Sequence, residues 1–352
     1  MVKACIIGVG GYSGSGKTTL IERVLPELRM QGLSVGVLKH TSHHALSADT
    51  PGKDTDRFYK AGADFVAGQD TVQWFGRCPL DSGSLQEGLS LFPLALDLIL
   101  VEGHKGSDVP RIWLDAEGSG SEGLPAAGSV RARIAREDPL YLDKFLEYVT
   151  RELDAHLASR PVFAGLLIGG KSSRMGRPKT MLEIGGRTLA EQMVGTLSLV
   201  ASRTVLLGNS QLADSLVVAD RIPDVQETEG PLAGMLSAFR WAPRSAWIIS
   251  SVDMPLMHEK AWRWLLAQRR PGTWAVMPQI QGSGIVEAAG ACYEPMLFDY
   301  AESIALKRLP RLQELARHPK VLRPVIPDEM APAWKNVNTP DEWAEVKSLL
   351  ND

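Results

Sequence analysis

Short apolar runs alternate with amphipathic stretches along the whole chain. Residues 4–9 form a strand-length apolar run, residues 18–30 repeat apolar side chains at helical spacing, and residues 34–39 return to a strand. Residues 53–63 read as a helix. Two short strands are expected around Phe65 and Trp74, and a Gly/Ser/Leu segment follows at 80–92. Residues 97–101 make another buried strand, which ends on Glu102. Residues 119–128 are rich in Gly, Ser and Ala and read as a mobile loop, and residues 140–157 as an amphipathic closing helix. The stretch Ala158-Ser159-Arg160-Pro161 breaks the pattern, and a second series begins directly after it. Strands are expected there at 162–168, 204–207 and 247–251, and helices at 189–199, 232–241 and 258–268. Further strands are expected near 274–277 and 285–291, and a last helix follows Thr339-Pro340-Asp341. This alternation predicts two α/β domains, 1–158 and 159–352, each a doubly wound parallel sheet. The first reads as a P-loop NTPase fold and the second as a Rossmann-like fold. Ligands of such sheets bind at the carboxyl ends of the strands.

Composition agrees with two cores: 352 residues, 44% hydrophobic and 22% charged. A formal charge of -3 offers no general attraction for a polyanion, so small phosphates are expected as ligands and nucleic acid is not. Cys5, Cys78 and Cys292 are isolated, with neither zinc spacing nor a disulfide framework. No leader pattern opens the chain, and its apolar runs are far shorter than a membrane span. These features together predict a cytoplasmic protein without a membrane partner.

Two glycine-rich loops carry the candidate chemistry. The first, Gly11-Tyr-Ser-Gly-Ser-Gly16-Lys17-Thr18, meets every position of the P-loop pattern between an expected strand and helix. Its candidate nucleotide contacts are Gly11, Ser13, Gly14, Ser15, Gly16, Lys17, Thr18 and Thr19. Glycines let backbone N–H groups and a helix N-terminus converge on a phosphate, Lys17 reaches the β/γ oxygens, and the Thr18 hydroxyl can ligate Mg2+. Glu102, closing an apolar strand, is the matching acid for the metal's water shell. A guanine-reading N-K-x-D element is absent, and Asp138 is either its substitute or a helix cap. His40, His43 and His44 follow the second strand. They lack a carboxylate or cysteine at ligand spacing, which favours phosphate or partner contacts over a metal.

The second loop, Leu166-Leu167-Ile168-Gly169-Gly170 followed by Arg174 and Lys179, grips phosphate differently. The glycines admit a base or ribose close to the backbone, and the two long cations can fold over a triphosphate. That arrangement suits attack at the α-phosphate with pyrophosphate leaving under neutralisation by Arg174, Lys179 and Mg2+. Asp253, at the end of the strand that precedes Met254-Pro255, is the candidate metal ligand. Asp224, ahead of Gly230-Pro-Leu-Ala-Gly234, is a second ligand or a substrate contact.

These residues resemble two known families over nearly the whole length. The first half looks like MobB, the P-loop GTP-binding protein of molybdenum-cofactor synthesis. The match runs through GYSGSGKTTL, LKHT, Pro51-Gly-Lys-Asp54 with Lys60-Ala-Gly-Ala63, and LDLILVEG followed by His104-Lys105. The second half looks like MobA, the molybdenum cofactor guanylyltransferase, through LIGGKSSRMGRPKTML, GPLAG, Asp253-Met-Pro255 and Asn336-Val-Asn338-Thr-Pro340. The resemblance implies a Mg2+-dependent nucleotidyltransferase that joins GMP from GTP to molybdopterin, with an accessory GTP-binding domain of weak GTPase activity. It gives Gly169, Gly170 and Lys179 to the nucleotide, Asp253 to Mg2+, and Asn336 and Asn338 to the molybdopterin side, and Leu167 and Asp224 stand beside them as further candidate nucleotide contacts. Other cofactor-synthesis proteins or molybdoenzymes are implied as partners, and a homodimer through the N-terminal domain is open. The family's Glu-Pro-Leu-like stretch reads Val286-Glu287-Ala288-Ala289 here, which puts the pterin-side pocket in question. Two alternatives stay open, a GTP-binding adaptor with an impaired transferase and a molybdopterin cytidylyltransferase; Gly169-Gly170 favours guanine.

Overall fold

The computed structural model describes residues 4–41, 52–79, 84–93, 95–115, 129–169, 178–217, 219–282, 284–309 and 311–351. The expected mobile loop at 119–128 lies outside the described residues. The chain forms two compact units, residues 1–28, 35–94 and 98–149 in one and 29–34, 95–97 and 150–352 in the other.

In the first unit β1 (Cys5–Gly11), α1 (Lys17–Met30) and β2 (Val35–Lys39) follow the expected order. Then come α2 (Asp54–Lys60), β3 (Val66–Gln69), β4 (Trp74–Arg77), α3 (Leu85–Ser90), β5 (Leu98–Glu102), β6 (Arg111–Asp115), β7 (Val130–Ala135) and α4 (Tyr141–Ser159). The main sheet runs β2-β5-β1-β6-β7 with every pair parallel, and β3 and β4 form a separate antiparallel hairpin. Leu98 to Val101 are fully buried, as an apolar run in a covered parallel sheet must be. Within the 80–92 segment, which showed no clear period, six residues form α3; the Ser84 side chain accepts from Glu87 N and starts it. The sequence pattern also hid β6 and β7. β6 carries Arg111 in a buried slot, and β7 alternates charged residues on its exposed face.

Gly8 and Gly10 of β1 oppose Arg111 and Trp113 of β6 in register. A Cβ at Gly8 would lie 2.8 Å from the Arg111 Cβ, and one at Gly10 would lie 2.5 Å from the Trp113 ring. The small residues of β1 thus make room for two large buried side chains beneath the loop that follows.

The second unit contains β8 (Val162–Leu167), β9 (Glu183–Ile184), β10 (Arg187–Thr188), α5 (Leu189–Ser198), β11 (Arg203–Leu207) and β12 (Arg221–Ile222). It continues with α6 (Pro231–Trp241), β13 (Ala246–Ser251), α7 (Glu259–Ala267), β14 (Ala275–Val276), β15 (Ala291–Tyr293), α8 (Phe298–Leu306), β16 (Val321–Leu322) and α9 (Pro340–Asn351). Its sheet order is β12-β11-β8-β13-β15-β14-β16. β12, β11, β8 and β13 are parallel, but β15 runs antiparallel to both β13 and β14, so the expected all-parallel sheet is mixed. The strand expected at 285–291 is displaced to β15, because Gly290 turns at φ +85; Val286 keeps only an isolated bridge to Gln279. Alternate residues feed two cores. Ala164, Leu166 and Ile248 pack with α5, α7 and α9 on one face, while Leu167, Val205 and Trp247 pack with α6 and α8 on the other. β8, β11 and β13 run parallel, so their carboxyl ends lie side by side on one edge of the sheet.

Candidate functional site

In the first unit the loop after β1 holds two glycines at positive φ, Gly14 (+76°) and Gly16 (+88°), a backbone that other residues adopt only with strain. Lys17 begins α1, and its ammonium donates to Gly11 O (3.2 Å), Tyr12 O (2.5 Å) and Ser15 Oγ (3.4 Å). Thr18 Oγ1 donates to the Glu102 carboxylate at 3.2 Å. β5 brings Glu102 there because it is the parallel neighbour of β1, with Val9 opposite Glu102. Two hard oxygen ligands from helix start and strand end fit an Mg2+ ion, the metal such donors suit. Lys39, opposite Glu102 on β2, lies 3.9 Å from its carboxylate. Burial pulls the Lys17 ammonium below its ordinary pKa. The Glu102 charge opposes the shift, and Lys105 and Lys39 add to it. A cavity of about 710 Å³ opens beside Lys17, Glu102 and Lys105.

The His40 and His104 rings meet with centroids 4.0 Å apart, tilted by 36° to each other. Burial, then the neighbouring His40 and Arg111, lowers the His104 pKa. His43 and His44 lie outside the described residues, and among the described residues no group of three metal-ligating side chains occurs. Asp138 accepts from Leu140 N at 2.9 Å and pairs with Lys144, a local cap at the start of α4. Arg136, which sequence reasoning passed over, lies across the loop instead. Its guanidinium donates to Gly14 O at 3.4 Å and would meet a Cβ on Gly16 at 3.2 Å.

In the second unit three distant segments meet. Lys179 Nζ donates to Asp253 Oδ2 at 3.0 Å and to Asn338 Oδ1 at 2.9 Å. The turn bearing Lys179 is anchored by buried Thr180, whose hydroxyl donates to Gln211 O at 2.6 Å. Asp253 follows β13, and its carbonyl accepts from Val337 N at 2.8 Å, which fixes the Asn336–Asn338 segment. Glu342 accepts from Asn338 N and Thr339 N and closes the start of α9. Asn338 therefore belongs to the Lys179–Asp253 cluster. Asn336 is half-buried one residue before Val337.

The Asp253 Oδ1 atom is buried and makes no hydrogen bond among the described residues. A buried carboxylate oxygen of this kind costs free energy unless a cation or donor meets it, so the site fits a divalent metal. Glu287, not singled out from the sequence, adds a second carboxyl beside Asp253. Its pKa is raised by burial and then by the charge of Asp253. The signal lay in the altered 286–289 stretch.

Asp224 is exposed on one side and ringed by glycines on the other. Its Oδ2 would lie 3.1 Å from a Cβ on Gly208 and 3.7 Å from one on Gly169, and its Oδ1 3.3 Å from one on Gly234. Partial burial raises its pKa. Gly208 sits at φ +89 at the end of β11, so Leu167, Gly169, Gly208 and Asp224 share one crevice. Gly170 and Arg174 lie outside the described residues. No helix among the described residues is long and apolar enough to cross a membrane.

Comparison with known proteins adds two families. Residues 6–134 match the family of molybdopterin guanine dinucleotide synthesis protein B, and residues 164–330 match the MobA-like NTP transferase domain. Over 148 residues the chain is 36% identical to the molybdopterin-guanine dinucleotide biosynthesis adapter protein of Haemophilus influenzae, covering 42% of this chain and 82% of that protein. It is 38% identical over 149 residues to the adapter protein of the same name in Escherichia coli, covering 39% of this chain and 81% of that one. Over 202 residues it is 32% identical to the molybdenum cofactor guanylyltransferase of Sinorhizobium fredii, covering 53% of this chain and 91% of that enzyme. The chain belongs to the MobB family in its first part and to the MobA-like nucleotidyltransferase family in its second.

Proposed function

We propose that this chain is a molybdenum cofactor guanylyltransferase that carries its own MobB-like GTP-binding domain, with the division of labour falling at residues 158 and 159. The observation that carries the reading is the meeting of Lys179, Asp253 and Asn338 at the open ends of the parallel strands. Molybdopterin ends in a phosphate monoester whose second pKa is about 6, so it is mostly dianionic at neutral pH. One of its oxygens attacks the α-phosphorus of GTP. The new P–O bond forms as the bond to the β-phosphate oxygen breaks, and pyrophosphate leaves. No proton has to be taken from the nucleophile, so the residues align reactants and balance charge.

Lys179, with Arg174, neutralises the departing pyrophosphate. Leu167, Gly169 and Gly170 form the floor for the nucleoside. Asp224 meets the base: guanine offers it adjacent N1–H and N2–H donors, a pairing cytosine lacks. Asn336 and Asn338 hold the molybdopterin side. Asp253 would hold Mg2+ in this site, as Thr18 and Glu102 would in the first, where the ion supplies charge neutralisation at phosphate oxygens.

In the first domain residues 11–19 bind GTP and hydrolyse it slowly. Exposed Phe65 and Trp74 around the β3–β4 hairpin support this domain as the surface for a second copy or for proteins that make or receive the cofactor. The setting is the cytoplasm. The test incubates the full chain with molybdopterin, Mg2+ and either GTP or CTP and measures dinucleotide. Product with GTP is expected, and product with CTP alone would overturn the base assignment.

A further inference from the structure

Beyond the P-loop lysine, the first unit holds a second cation aimed at the same cavity. Lys105 stands in the turn that follows β5, directly after Glu102, Gly103 and His104. It is exposed and has no hydrogen bond or ion pair among the described residues. Its ammonium rests over two rings, 5.9 Å from the Tyr12 centroid and 5.5 Å from the Trp113 centroid. Those rings meet edge to face at 5.6 Å. Tyr12 is part of the phosphate loop itself. A cation–π contact at such distances is weak, so an anion in the cavity can draw the ammonium away from the rings.

The turn that presents Lys105 is held from below. Arg111 is fully buried, and its guanidinium donates to His104 O (2.9 Å), Ser107 O (3.1 Å), Ser107 Oγ (2.9 Å) and Gly103 O (3.4 Å). A buried guanidinium without a carboxylate is costly, and four acceptors from one turn are what it receives in return. His104 itself sits at φ +46, a conformation few side chains adopt, so the turn is over-determined rather than slack. The Gly8 and Gly10 gaps in β1 exist to admit this arginine and Trp113.

We propose that Lys105 is a second phosphate-contacting lysine of the N-terminal nucleotide site, that it recognises the terminal phosphate of a nucleoside triphosphate, and that Arg111 positions it. The assignment to the terminal phosphate follows from where the metal belongs. Thr18 and Glu102 would hold a metal there, which would supply positive charge beside the terminal phosphates, and the 103–107 turn continues directly from Glu102. Lys17 grips from the loop side, Lys105 from the opposite lip.

The proposal rests on GTP binding by the first domain, and its test separates the two. A fluorescent non-hydrolysable GTP analogue and the matching GDP analogue are titrated into the full chain. The component abolished by Lys17→Ala defines the N-terminal site. In Lys105→Ala that component is expected to weaken about tenfold for the triphosphate and less than about twofold for the diphosphate, with Lys105→Arg restoring most of the loss. Ser107→Ala, which deletes one acceptor of Arg111 and leaves the core intact, is expected to reduce the same selectivity partway. Equal weakening of both nucleotides, or none, in a Lys105→Ala chain that retains the Lys17-dependent component overturns the role of Lys105. If Lys17→Ala abolishes no component at all, the nucleotide reading of the domain falls, and this proposal with it.

Discussion

Replacing Asp253 by Ala separates two jobs that one carboxylate performs. In the structure Asp253 Oδ2 holds Lys179 at 3.0 Å while Oδ1 stays buried and unbonded among the described residues, so in the proposed site the first oxygen restrains Lys179 and the second is the one a metal would take. Removal takes away a charged metal ligand. Loss of one preorganised electrostatic contact to a transition state typically lowers turnover on the order of 100-fold, so Mg2+-dependent dinucleotide formation should fall well over tenfold. Binding without metal should move the other way. The pair keeps some water contact, with the Lys179 side chain 16% and the Asp253 side chain 20% exposed. It is worth about 1 kcal/mol, the upper range for such pairs. Releasing Lys179 from it should tighten metal-free GTP binding by roughly fivefold. The assay is GTP binding in EDTA alongside dinucleotide formation in Mg2+, both in a Lys17→Ala background so that the first site stays silent. Near-normal turnover would place the metal elsewhere. Weaker metal-free binding would mean that Asp253 touches the nucleotide itself.

Three further outcomes are expected. Glu294 is buried between Arg160 Nη1 (2.6 Å) and Arg269 Nε (2.7 Å). Glu294→Ala takes the shared carboxylate from two buried guanidinium groups and should cost about 3–5 kcal/mol, a fall in Tm on the order of 10 °C. Tryptophan emission reports it, since of the nine tryptophans only Trp74 and Trp113 belong to the first unit, and a drop under about 2 °C would refute the cost. Lys17→Ala should abolish GTP hydrolysis while dinucleotide formation stays largely intact; loss of both would show a single shared site. The Asp56 carboxyl is held at about 2 by the Gly52 N–H, then by Lys60 and Arg77, against roughly 4 in the unfolded chain. A depressed carboxyl stabilises above the unfolded value and stops doing so as pH falls through the folded one. Amide protection across α2 and the β3–β4 hairpin, taken relative to the intrinsic exchange rate at each pH, should therefore fall between about pH 4 and 2, and constant protection there would disprove the linkage.

The parts of this molecule legible in the sequence are those fixed by local chemistry. The first loop declared itself because glycine, lysine and threonine at set spacing have one common structural use. Lys179 and Asp253 could also be singled out as candidates, Lys179 in the turn beyond the second glycine loop and Asp253 just past the apolar strand β13. What the sequence could not show was that Lys179 would bond Asp253 and Asn338, since the three are separated by 74 and 159 residues from Lys179 and meet only through sheet register. The mixed sheet escaped for a related reason. Strand direction is set by pairing partners, and the short β14, β15 and β16 carry too few residues to advertise a period. Arg111 gave no signal of its own in the sequence; only the glycines of β1 opposite it reveal a space built for it.

The two phosphate sites differ in how their key cation is held. Lys17 is satisfied by carbonyls and a hydroxyl of its own loop, so its position depends on a few adjacent residues and a helix start. Lys179 is satisfied by side chains from β13's end and from the segment before α9, so its position depends on the whole second unit being folded. The first arrangement suits reversible capture and release of a nucleotide, because loop carbonyls lose little when the ammonium turns to phosphate. In the second arrangement the partner Lys179 must leave is the same carboxylate a metal would take. In the proposed site, metal and triphosphate would each relieve the other of a competing contact, since Asp253 would hold the metal and Lys179 the phosphate. Such an exchange would make binding of metal and triphosphate cooperative and would keep either alone from completing the site.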